Sequence, residues 1–149
     1  MLSKIQVFNT CIALIDDKIQ NLEKILQELT EGIENESKSS AGDKHETSRA
    51  MMHNEQEKIS KQLLETSLQK GLLEQIGSAP IENEIQLGSF IKTNKGYLFL
   101  ATALGKIKVG DTDIFVLSNQ SPLGYKLMGL KKNESAVING ITYRVEEFS

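Results

Sequence analysis

The stretch IQVFNTCIALIDDKIQNLEKILQELTEGI, residues 5–33, decides how this chain folds. Its apolar residues Ile5, Phe8, Ile12, Ile15, Ile19, Leu22, Leu26, Leu29 and Ile33 alternate steps of three and four. That is the a/d seam of a heptad repeat, and no proline interrupts it. The spacing predicts one helix from about Leu2 to Glu36, roughly 50 Å long at 1.5 Å per residue. A helix of that length with one apolar stripe needs a partner. Residues 43–76 supply one: they too lack proline, and Met52, Ile59, Leu63, Leu73 and Ile76 form a looser stripe. Gln56, Thr66 and Lys70 are expected to interrupt it, and Leu64, Leu68 and Leu72 form a second row read as packing on the rest of the protein. The link around Ser37 to Gly42 is short, and short helix–helix links favour antiparallel neighbours. Residues 1–76 are therefore expected to form an antiparallel coiled-coil hairpin with its tip at 37–46.

The period then changes. Gly77-Ser78-Ala79-Pro80 is a helix stop, and 77–84 is read as a linker. Residues 85–93, 96–104 and 112–118 are rich in Ile, Phe, Leu and Val and are bounded by turn residues, so they read as strands. Ser121-Pro122 starts a short helix with proline at its first position, running to Gly129. Asn139-Gly140 inside an alternating segment marks a terminal hairpin. The fold class is thus α+β: a helical hairpin, then a small β-rich domain over 85–149 with one short helix.

Composition limits the function. The net charge is −3, with −4 on residues 1–76 and +1 on 77–149. Neither half carries the basic patch of an autonomous nucleic-acid binder. Aromatics are 5% and Trp is absent, which argues against base-stacking platforms. No apolar run is long enough to span a bilayer, no signal-peptide pattern opens the chain, and the single cysteine, Cys11, suits a reducing compartment; a cytoplasmic location is expected. Cys11 sits beside the seam residue Ile12, so it reads as a packing residue and not as half of a thiol–imidazole pair. His45 and His53 are too sparse for zinc, and no glycine-rich phosphate loop is present. The seven Phe and Tyr residues beyond residue 80 read as strand positions, too few to claim an aromatic-lined prolyl-isomerase pocket.

Two local motifs stand out. Asp43 and Glu46 in GDKHE (42–46) fall on the first turn of the returning helix. Alone, that spacing is a capping box with favourable charge at a helix start. The second motif is SPLGYKLMG (121–129). In this order and on this layout, the chain resembles the Gre family of bacterial transcription elongation and transcript-cleavage factors, over nearly its full length. The resemblance implies an FKBP-like β domain docked on RNA polymerase, with Ser121, Pro122 and Leu123 helping to dock it. It implies a coiled coil inserted in the secondary channel, where Asp43 and Glu46 share a catalytic Mg²⁺ with the polymerase and stimulate cleavage of backtracked RNA. Such a factor is an accessory and not an enzyme, has no cofactor of its own, acts as a monomer, and meets nascent RNA and DNA only through the elongation complex. The family continues after the glutamate with Asn and then Ala-Glu-Tyr; here the residues are Thr47, Ser48, Arg49 and Ala50. That departure leaves a non-cleaving channel regulator open, and a coiled-coil adaptor with another partner remains a third reading.

Overall fold

The computed structural model describes the backbone of residues 2–37 and 43–149, and the side chains of 2–36 and 46–149. Two long helices, α1 (Lys4–Ser37) and α2 (Asp43–Ile76), precede a six-stranded sheet. The strands are β1 (Phe90–Thr93), β2 (Gly96–Ala101), β3 (Gly105–Val109), β4 (Thr112–Ser118), β5 (Ser135–Ile138) and β6 (Ile141–Phe148). A short helix, α3 (Pro122–Leu127), lies between β4 and β5 in the chain. This is the α+β arrangement expected. The chain divides into two compact units, residues 14–70 and residues 1–13 with 71–149. Among the described residues no helix is long and apolar enough to cross a membrane.

Within the 14–70 unit the helices run side by side and antiparallel. Lys70 Nζ pairs with Asp16 at 2.7 Å, and Gln56 Nε2 donates to Thr30 Oγ1 at 3.2 Å. Moving from 16 to 30 on α1 is thus matched by moving from 70 back to 56 on α2. Farther on, a Cβ at Gly32 would stand 3.3 Å from Met52 Sδ. From Ile15 onward the expected α1 residues line the less exposed side of the helix, with Ile15 and Leu22 buried and Ile19, Leu26, Leu29 and Ile33 half-buried.

Three expectations need correction. Before Ile15, the buried stripe is Lys4, Val7 and Cys11, while Ile5 is 47% exposed. Residues 1–13 belong to the other unit, so their buried face is set by different neighbours and is rotated by one residue, about 100°. In α2, Gln56, Thr66 and Lys70 do not interrupt the stripe but lie in it. Met52, Gln56, Ile59, Leu63, Thr66, Lys70 and Leu73 alternate steps of four and three, and all are buried or half-buried. Each polar member is satisfied: Gln56 by Thr30, Thr66 Oγ1 by donating to Gln62 O at 2.7 Å, and Lys70 by Asp16 while its stem covers the seam. Finally, Leu64 and Leu68 are 61% and 66% exposed, while Leu72, the third of that row, is half-buried.

The sheet order is β3-β4-β2-β1-β6-β5, with β2 and β4 parallel and every other pair antiparallel. The segment 105–109, not foreseen as a strand, pairs with β4 from Gly105↔Val116 to Val109↔Thr112. Its alternation of Lys106, Ile107 and Lys108 places one apolar residue inward, too weak a signal to stand alone. The first strand begins five residues later than expected. Gly88 takes φ +99°, and Ser89 closes a turn by N–H donation to Gln86 O at 3.0 Å. Ile85 instead pairs with the loop after α3, through Leu130 O at 2.8 Å and Gly129 N at 2.7 Å.

Ile91, Leu98, Leu100, Leu117 and Val145 from the sheet join Leu127 of α3, Ala136 and Ile85 in one core. On the opposite face Phe99, Ile114 and Val116 are buried as well. Asn139 and Gly140 both have positive φ, 50° and 78°, as a type I′ hairpin turn requires.

Candidate functional site

Helix α2 starts at Asp43, so Asp43 and Glu46 occupy its first turn at positions i and i+3, neighbours on a helix surface. The Glu46 side chain is exposed. The side chains of Asp43 and His45, and the capping hydrogen bonds expected of Asp43, lie outside the described residues, as does the link 38–42. One helical step beyond Glu46, Arg49 is half-buried, and its Nε is buried without a hydrogen-bond partner among the described residues. Thr47 is exposed and Ser48 half-buried. Among the described residues no group of three His, Cys, Asp or Glu side chains could hold a metal ion. From Asp16 to Ser37 the first helix advances roughly 30 Å at 1.5 Å per residue, so the start of α2 lies at the closed end of a long helical pair.

The second motif builds the entry to α3. Ser121 is its N-cap: Oγ donates to Ser118 O at 2.6 Å and accepts from Gly124 N at 3.1 Å. Pro122 takes the first helical position and is exposed. Gly124 is required by close approach, because a Cβ there would lie only 2.0 Å from Ser118 O. The Ser121 hydroxyl is therefore committed to the fold, while Leu123, half-buried, is turned toward a surface groove. That groove, about 610 Å³, is walled by Leu98, Phe115, Leu123, Ile141 and Tyr143. Lys95, Lys106 and Asp113 edge it, the last two 3.3 Å apart. Phe115 pairs in register with Leu98, which places it on the same sheet face as the core, yet it is 48% exposed. Sequence alternation identifies that face but not where its cover stops, so the groove was not foreseen.

Cys11 is fully buried, as a packing residue should be. Burial pushes its thiol pKa up to about 11, which keeps it protonated and a poor nucleophile near neutral pH. His53 is exposed on α2. No protein-family model, no curated protein and no solved structure matches the chain.

Proposed function

We propose that the protein binds RNA polymerase and presents the Asp43–Glu46 end of its helical pair to the polymerase active centre through the secondary channel, stimulating cleavage of backtracked RNA. On this reading the pair is a coiled coil and the sheet unit an FKBP-like docking domain. The observation that carries it is the placement of two carboxylate residues on the first turn of α2, at the closed end of an antiparallel helical pair. A helical pair is stiffer than a loop and can carry a side chain into a narrow channel without losing its position. The matched seams on both helices support the coiled-coil reading.

The donor chemistry suits a shared ion. Two carboxylates are too few to cage Mg²⁺, which takes one or two carboxylates and keeps several waters, so the remaining ligands would be the polymerase's. When bound there, such an ion would activate the attacking water and stabilise the departing oxygen. The chain's own part is to supply negative charge and hold it in place. The helix start fixes the spacing of the two backbones. The sheet unit positions the whole, with Leu123 and the groove beside it as the apolar contact.

Arg49 favours a second reading, a channel regulator that does not cleave. It stands one helical step from Glu46, where a cation competes with Mg²⁺ for the carboxylate. The double variant Asp43→Asn, Glu46→Gln separates the two, since it leaves the seam untouched. Capture of purified RNA polymerase is expected for the wild type and the variant alike. RNA cleavage is expected only for the wild type; cleavage by neither, with binding by both, selects the regulator. Failure to capture polymerase selects an adaptor with another partner.

A further inference from the structure

Lys4 is the one lysine that the sheet unit buries, with 9% of its surface exposed. Its Nζ donates to Ala79 O at 2.6 Å. An ammonium has three protons to donate, and among the described residues no carboxylate lies within salt-bridge distance of it. Burying a charge without a counter-ion is costly, and here desolvation holds the lysine pKa below its ordinary value.

The lysine lines a hollow of about 300 Å³ with Phe90, Lys92, Tyr97 and Glu147. The register explains the assembly. Tyr97, Lys92 and Glu147 are directly opposed on β2, β1 and β6, so they form one row across the sheet. Phe90, two residues before Lys92, shares their face. The Phe90 and Tyr97 rings stack with centroids 5.4 Å apart and planes 17° from parallel. Lys92, half-buried, and Glu147, exposed, are only loosely paired at 3.9 Å. Lys4, with two ammonium protons that no described group accepts, and Lys92 line the hollow beside Glu147 and Ser149.

We propose that this hollow is a binding site for a small flat aromatic carboxylate, its ring against the Phe90–Tyr97 stack and its carboxylate between Lys4 and Lys92. The volume is at the small end of ligand sites, which suits one or two fused rings and is too small for a dinucleotide or a folded segment. A neutral ring would leave the spare Lys4 protons unmatched, and a bare inorganic anion would leave the aromatic wall unused. The site lies wholly within the 1–13 and 71–149 unit and does not depend on the polymerase reading.

Titration of the isotope-labelled full chain with naphthoate, followed by amide chemical shifts, tests this. Saturable shifts confined to the neighbourhood of residues 4, 90, 92 and 97 are expected. Naphthalene methanol and inorganic phosphate should each bind at least about tenfold more weakly, the worth of one charge-assisted hydrogen bond. Lys4→Met keeps the buried stem, and Lys92→Gln changes a solvent-facing residue; each should weaken naphthoate by about tenfold while leaving the spectrum folded. Absence of saturation, equal binding of the neutral alcohol or of phosphate, or unchanged affinity in both lysine variants would overturn the proposal.

Discussion

The two units bury themselves in different ways. The sheet buries residues on both of its faces: Phe99, Leu100, Ile91, Val116 and Val145 have no exposed surface. The 14–70 unit has only a seam: Ile15, Leu22, Ile59 and Thr66 are buried, and the rest of its stripe is half-exposed. A sheet with buried residues on both faces places many apolar groups out of water, whereas two helices can hide one stripe each. The contrast suits a division of labour in which one unit is a stable base and the other gives up density for length. It also explains why polar residues survive in the α2 seam. Gln56 and Lys70 reach across to α1, where such groups set the register of a helix pair at some cost in stability, and Thr66 bonds back within α2.

Substitutions that strike each unit separately should break this contrast open. The largest loss is expected for Phe99→Ala, which empties a fully buried aromatic site; about 3–5 kcal/mol should disappear in denaturant unfolding. Ile59→Ala should cost less, about 2–3 kcal/mol, because a half-open seam collapses more readily onto the gap. Hydrogen exchange should locate that loss in residues 14–70 and leave the sheet amides protected. Equal losses for the two variants, or sheet amides exposed by Ile59→Ala, would erase the distinction. The smallest effect belongs to the exposed row: Leu64→Gln with Leu68→Gln should change stability by no more than about 0.5 kcal/mol. A larger drop would show that these leucines are covered in solution.

Local pattern made much of this fold legible. Heptad steps marked the extent of α1, a proline-free run ending at Gly77 that of α2, Ser121-Pro122 the entry to α3, and Asn139-Gly140 the last turn. The misses share a cause, since each depends on neighbours distant in sequence. The buried stripe of α1 rotates where residues 1–13 join the other unit, β3 gains its identity from pairing with β4, and residues 85–89 turn because Ile85 pairs beyond α3. Lys4 shows the same limit at the level of a site. Nothing in its local sequence marks it for burial, and its setting comes from Ala79 and from strands some ninety residues away. Asp43 and Glu46 were legible as a helix start, but a helix start and a metal-sharing pair carry the same residues.

The central claim is that this chain lends negative charge to a metal centre belonging to another molecule. RNA length in a halted, backtracked RNA polymerase complex, followed with Mg²⁺ present and with or without the protein, tests it most directly. Shortening of the transcript that requires the protein, and that Asp43→Asn with Glu46→Gln abolishes, is the predicted result. Transcripts that stay full length with the wild-type protein, or that shorten equally well with the double variant, would contradict it.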